Sequence, residues 1–263
     1  MVKEKRLANQ LPVSGLGEPL YFYRSIGSTN DRAKELAHGG APHGTVVVAR
    51  EQTAGRGRGE REWFSKPGAS LTFSVIFRLD SGDTDPTSGL PVLGALAVVE
   101  ALDTLGIQSQ IKWPNDVLIA DRKVAGILVE ASWMAEVLEY AVLGIGVNLK
   151  KGAIPTGPLD YPATFVDKYT QDRYRAEDLM GAILENLGKW YRQLGSKEIT
   201  LAWQRALAFQ GMDVILHGEG IRIEGTVKEL LTDGRLQIRT ADGEVFTAGT
   251  GELHLRPVDM PAS

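Results

Sequence analysis

Residues 52 to 63 run Gln52-Thr53-Ala54-Gly55-Arg56-Gly57-Arg58-Gly59-Glu60-Arg61-Glu62-Trp63. Glycines at alternate positions let backbone amides close on a ligand, and the arginines between them supply forked donors suited to phosphate or carboxylate. No GxxxxGK[ST] pattern is present, so this is not a Walker loop. Glu60 stands where a dinucleotide fingerprint needs its third glycine. Composition alone fits a solvated polar loop equally well, and Arg-Gly repeats can also touch nucleic acid. Trp63-Phe64 closes the stretch, either as a wall for a flat ligand or as an anchor to the core.

Four further groupings carry reactive side chains. Lys112-Trp113-Pro114-Asn115-Asp116 breaks a strand at proline, so that an amide and a carboxylate project from a bend. Such a carboxylate can hold Mg²⁺ beside phosphates, or simply cap an Asx turn. In Arg122-Lys123-Val124-Ala125-Gly126-Ile127-Leu128-Val129-Glu130, a lysine opens an apolar strand and a glycine interrupts it. The lysine can face a reacting anion or be a solvated turn residue. Gly144-Ile145-Gly146-Val147-Asn148 places two glycines in a strand, which suits close approach or a bulge. Ser28-Thr29-Asn30 puts hydroxyls and an amide at a helix start, where they can cap the helix or bind a polar head group.

Bulk properties exclude several classes. The chain has 263 residues with no cysteine, so disulfides, thiol catalysis and thiolate metal sites are ruled out. Its four histidines form no HExxH pattern. Apolar content of 43% and charged content of 24% belong to a folded globular protein rather than a disordered one. The net charge of -4 argues against a dedicated nucleic-acid binder, so no DNA partner is expected. No signal-peptide core and no long apolar run are present, so the expectation is a cytoplasmic protein with no membrane partner.

The elements that must position these residues follow from pattern. Strands are expected over 21–26, 45–51, 70–78, 110–113, 116–119, 123–129 and 140–149. Helices are expected over 29–38, stopped by Gly39-Gly40, and over 91–105, 176–194 and 197–209. Short turns outnumber long crossovers, so the main unit is α+β, a mixed or largely antiparallel sheet flanked by helices. From Gly211 the chain turns to short strands, with hairpin signals at Asp233-Gly234 and Asp242-Gly243. That implies a small SH3-like β-barrel. The division is an N-terminal arm (1–20), a main domain (21–210) and a C-terminal domain (211–263).

Each grouping alone is weak, but their order and spacing together resemble the biotin–protein ligases over roughly residues 21 to 148. The resemblance implies an ATP-dependent ligase. Such an enzyme activates biotin as biotinyl-5′-adenylate and passes it to a lysine of a biotin carboxyl carrier protein, part of acetyl-CoA carboxylase or a related enzyme. Carried over by position, biotin would meet Ser28, Thr29, Asn30, Gln52, Gly55, Arg56, Gly57, Arg58, Lys123 and Gly126. ATP would meet Arg58, Trp63, Asn115, Lys123 and Asn148. Lys123 would be the main catalytic residue, with Arg58 and Asp116 beside it. Asp116 would also be the candidate for Mg²⁺. The loop is expected to fold over the adenylate.

The pattern departs from the family at Gly59-Glu60-Arg61, where many members carry another basic residue and glycine, and at Gly251-Glu252-Leu253. Only about twenty residues precede Tyr21, fewer than the roughly 50 an independent DNA-binding module needs, so no repressor function is expected. The rival readings are a lipoate or octanoate ligase or transferase of the same fold, and a non-catalytic nucleic-acid-binding module. A strand edge could pair with the carrier or with a second copy in a homodimer.

Overall fold

The structure is a computed structural model that describes residues 3–4, 15–59, 61–78, 86–218, 220–231, 233–249 and 253–259. Most of the expected arm, Glu60 at the loop tip, and Gly251-Glu252 lie outside the described residues.

Along the chain run β1 (Lys3–Glu4), β2 (Leu20–Tyr23), α1 (Thr29–His38), β3 (Val46–Ala49), β4 (Ser70–Phe77) and α2 (Pro86–Asp103). Next come β5 (Gln110–Lys112), β6 (Asp116–Ile119), β7 (Arg122–Met134) and β8 (Val137–Asn148). Helices α3 (Ala176–Tyr191) and α4 (Lys197–Ala206) lead into β9 (Asp213–Gly218), β10 (Ile221–Leu230), β11 (Leu236–Arg239), β12 (Val245–Ala248) and β13 (His254–Pro257).

Strands β1 to β8 form one sheet in the order β1-β2-β3-β4-β8-β7-β6-β5. Only β2 and β3 pair in parallel, across the α1 crossover, and the other neighbours are antiparallel. The mixed sheet is thus as expected. Residues on its strands alternate between two faces. Val46, Val48, Phe73, Val75, Phe77, Leu143 and Ile145 join the main core with α2 and α3. Val47, Ile76, Tyr140 and Val142 point the other way and pack under Ala33 and Ala37 of α1. Strands β9 to β13 make a second, antiparallel sheet in the order β12-β11-β10-β9-β13. Its glycine turns fall where expected, with Gly234 and Gly243 at φ +83° and +89°.

Three expectations are corrected. Helix α2 begins at Pro86 and runs through Pro91, which was taken as its start. Pro91 is the sixth residue of this helix, in its second turn, so it forgoes one i→i−4 backbone bond and the long apolar helix runs on past it. The β7–β8 hairpin extends past Val129 to a turn at Ala135-Glu136, because cross-strand pairing continues beyond the run that alternates locally. A fifth C-terminal strand, β13, pairs with β9. No helix among the described residues is long and apolar enough to cross a membrane.

Candidate functional site

The site lies on the α1 face of the large sheet, beyond the N-terminus of α1. Register explains why its residues meet. Ser74 pairs with Gly144, Thr72 with Gly146, Gly126 with Gly146, Asp116 with Gly126, and Lys112 with Asp116. Directly paired residues share a face, so Lys112, Asp116, Gly126, Gly144, Gly146, Thr72 and Ser74 all look the same way. Lys123 joins them through a bulge. The register runs Val117↔Ala125 and then Leu118↔Lys123, which leaves Val124 as the extra residue. Unbroken alternation would turn Lys123 to the opposite face from Gly126. Backbone bonds then clamp it: Lys123 N donates to Pro162 O and Thr164 N to Lys123 O, both at 2.8 Å.

Two neighbouring cavities share lining residues on this face. The smaller, about 100 Å³, is lined at its inner end by Ser28, Thr29, Asn30, Gln52, Thr72, Gly144 and Gly146. Gln52 Oε1 accepts from Thr29 N at 2.7 Å and from Thr29 Oγ1 at 2.9 Å. Ser74 Oγ lies 2.6 Å from Asn30 Oδ1 and 2.8 Å from Thr29 Oγ1. Asn30 Nδ2 donates to Glu130 Oε2 at 2.8 Å. The Asn30 amide is therefore taken up by the protein, and a Cβ on Gly144 would meet its oxygen at 2.3 Å. Ser28 is buried but its hydroxyl does not cap α1, which departs from the capping reading.

The larger cavity, about 550 Å³, lies between the two sheets. Four cations line it (Arg61, Lys112, Lys123 and Arg256), against the carboxylates Glu62, Asp116 and Asp160, with Asn148, His217 and His254 alongside. The histidines looked scattered in sequence. Register pairs them, His254 with His217, with ring centroids 5.4 Å apart. Arg61 Nη2 sits 2.6 Å from His254 Nε2, so this imidazole accepts and is neutral. Burial and then the Arg61 cation hold His254 down to about 4.

Asp116 and Lys123 stand between the cavities and line both. Asp116 Oδ1 is 2.7 Å from Lys123 Nζ, and Oδ2 is 3.4 Å from Lys112 Nζ. Burial would raise the Asp116 carboxyl, but Lys123 and then Lys112 outweigh it and bring it to about 2. Burial pulls the Lys112 ammonium below its ordinary value, against the attraction of Asp116. Both Asp116 oxygens face ammonium groups, so the carboxylate is taken up by Lys123 and Lys112 and does not fit a direct Mg²⁺ ligand in this arrangement.

The loop's three arginines reach different parts of the fold. Arg56 Nη2 bonds Asp31 at 2.7 Å and Glu130 at 2.6 Å. Arg58 Nη1 donates to Asn115 Oδ1 at 3.2 Å, while Asn115 Nδ2 donates to Ile127 O at 2.6 Å. Arg61 reaches β13. The loop itself is a small hairpin, with Gly57 N donating to Arg61 O and Trp63 N to Gly55 O. A Cβ on Gly55 would meet Trp63 O at 2.4 Å, so this close crossing requires glycine. Trp63 covers Gly126 and Gly146, where an added Cβ would meet its ring at 3.1 and 2.4 Å. Lys123 Nζ lies 5.6 Å from the Trp63 ring centroid, and the buried indole N–H has no partner among the described residues. Trp113 is core, and its indole N–H reaches Gly234 O of the second sheet at 3.0 Å.

Most of the expected residues thus converge. Gly126 and Trp63 occupy one spot, and Asn115 is turned onto the protein. Sequence reasoning missed Ser74, Glu130, Arg61, His217, His254 and Arg256. Two of them had a local signal: Arg61 as the loop's third arginine and Glu130 as the last residue of the lysine-led run.

The family model for the biotin/lipoate A/B protein ligase family matches residues 22–148. A biotin–[acetyl-CoA-carboxylase] ligase of Paracoccus denitrificans is 33% identical, over 84% of this chain and 98% of its own length. The chain belongs to the biotin/lipoate A/B protein ligase family. The bifunctional ligase/repressor BirA of Bacillus subtilis is 32% identical, over 93% of this chain and 79% of its own length. Among solved structures, the biotin protein ligase from Aquifex aeolicus in complex with biotin and ATP superposes with a TM-score of 0.78. It is 30% identical, covering 90% of this chain and 98% of that one. The mixed sheet with its flanking helices matches the fold of that biotin protein ligase.

Proposed function

We propose that the chain is an ATP-dependent biotin–protein ligase. In the first step the biotin carboxylate attacks the α-phosphate of ATP, giving biotinyl-5′-adenylate and pyrophosphate. In the second, the neutral ε-amine of a carrier lysine attacks the anhydride carbonyl and AMP leaves. The observation that carries this reading is Lys123 at the junction of the two cavities, 2.7 Å from Asp116 and clamped through its backbone.

Each cavity suits one substrate. No hydrogen bond among the described residues uses Ser28 Oγ or Gln52 Nε2, so both remain to meet a ureido ring. A site with such polar groups disfavours lipoate or octanoate, which would leave them unpaired. Trp63 then swings off Gly126 and Gly146, making room for the thiophane ring and valeryl chain at Gly126 and a wall for adenine. Gly55, Arg56 and Gly57 close the lid above biotin. Asn148 faces adenine from the larger cavity, and Asn115 acts on the nucleotide through Arg58. The polyphosphate takes the cation-lined cleft. Lys123 and Arg58 are the catalytic cations, since preorganised donors lower the barrier between two anions. Asp116 positions Lys123. Mg²⁺ arrives as part of the substrate, chelated by the phosphates.

The acceptor is a biotin carboxyl carrier protein, in keeping with the relatives' names, and the setting is the cytoplasm. Domain limits near 20 and 210 and an SH3-like barrel for the second sheet complete the reading. The test is incubation with ATP, biotin and a carrier domain. Biotin on the carrier lysine is the expected outcome, and adenylate formation from lipoate or octanoate but not biotin would overturn it.

A further inference from the structure

Glu130 belongs to none of the roles above, yet it is the most heavily used carboxylate on the site's face. Its oxygens receive Asn30 Nδ2 at 2.8 Å, Lys34 Nζ at 2.9 Å and Arg56 Nη2 at 2.6 Å. These donors come from α1 and from the lid loop, while Glu130 itself stands on β7. Asp31 closes the ring by meeting Arg56 at 2.7 Å and Lys34 at 3.1 Å. Two cations and two carboxylates thus tie three separate elements together. The Arg56 guanidinium is engaged by two carboxylates at once, on a side chain that is exposed.

We propose that Glu130 is a positioning residue that latches the lid. Through Arg56 it holds the loop against β7, beside the Asp31 contact to α1, and through Asn30 it fixes the floor of the smaller cavity. Lid closure and pocket shape therefore depend on one carboxylate. Its effect falls on how long biotin and biotinyl-5′-adenylate stay bound, because the latch touches neither the carboxylate nor the phosphate that react. A charge-assisted contact resists opening more than a neutral one. The proposal rests on the ligase reading for the identity of the ligand, but not for the latch itself.

The experiment follows release of biotin and of preformed adenylate from Glu130→Gln, which keeps an oxygen for Asn30 but loses the charge. Release should quicken about tenfold, the loss of roughly one charged hydrogen bond, while the single-turnover adenylation rate at saturating substrates changes less than about threefold. Raising salt from about 0.05 to 0.5 M should speed release from the unaltered protein and not from E130Q. Arg56→Gln should quicken release at least as much, since it loses Asp31 as well as Glu130, and the double variant should be no faster than Arg56→Gln alone. It also serves if E130Q does not fold. Release within about twofold of the unaltered protein, or additive effects of the two substitutions, would overturn the latch. Trypsin cleavage after Arg58 and Arg61 in the ligand-free protein gives a second readout. E130Q should speed it, and equal cleavage would count against the latch even in a protein that binds no biotin. Failure of the unaltered protein to bind biotin would instead sink the ligase reading.

Discussion

The two cavities at the site are built on opposite principles. The inner end of the smaller one uses hydroxyls, amides and glycines, and most polar atoms there are bonded to another part of the protein, with Ser28 Oγ and Gln52 Nε2 left over. The larger is several times more voluminous and is lined by cations whose charge is only partly offset. A neutral pocket end selects by shape and hydrogen bonding, and a wide charged cleft attracts and neutralises an anion. Asp116 and Lys123 belong to both, so the chemistry sits where selection meets charge.

That contrast can be broken at its boundary first. Asp116→Ala should lower unfolding stability by about 3–5 kcal/mol, because it leaves the buried Lys112 ammonium unpaired. Urea denaturation measures it, and a loss under about 1 kcal/mol would show that water already compensates Lys112. Lys123→Ala should slow single-turnover adenylate formation by about 10²–10³, as loss of an oxyanion donor does. An unchanged rate would move the catalytic role elsewhere.

Acid tests the charged cleft. His254 is held near 4 in the folded protein, below its ordinary value of 6.5. A depressed histidine adds protons on unfolding, so stability is full above 6.5 and falls as pH drops from there toward about 4. His254→Gln should flatten this part of the pH–stability curve, and an unchanged slope would place the titration on another group. The smallest effect belongs to the neutral pocket. Because Ser28 makes no cap bond, Ser28→Ala should cost less than about 0.5 kcal/mol, below the ~1 kcal/mol of a lost N-cap. It should still weaken biotin binding in calorimetry. A full capping loss would restore the structural reading of Ser28.

Much of the fold was legible because its signals are local. Helix α1 ends at the double glycine, β6 spans the expected residues, and the Asp-Gly turns of the second sheet fall in place. The long hairpin tip was not, since Trp133 and its neighbours pair across strands without a local apolar alternation. The site was legible in its motifs but not in its contacts. Arg56 and Arg58 look equivalent in the chain, yet one meets carboxylates and the other an amide.

Residue type and spacing by themselves determined that a glycine–arginine loop, a lysine-led strand and a polar helix start occur in one order on a mixed sheet. Local propensity and turn chemistry act over a few residues, and sequence displays them directly. The tertiary structure alone decided which face Lys123 takes, because a one-residue bulge at Val124 reverses the alternation. It alone brought Glu130 to Arg56, 74 residues apart, and His217 to His254. Those pairings depend on strand register and on the docking of one sheet against another. Both are set by burial summed over the whole core rather than by any neighbour in the chain.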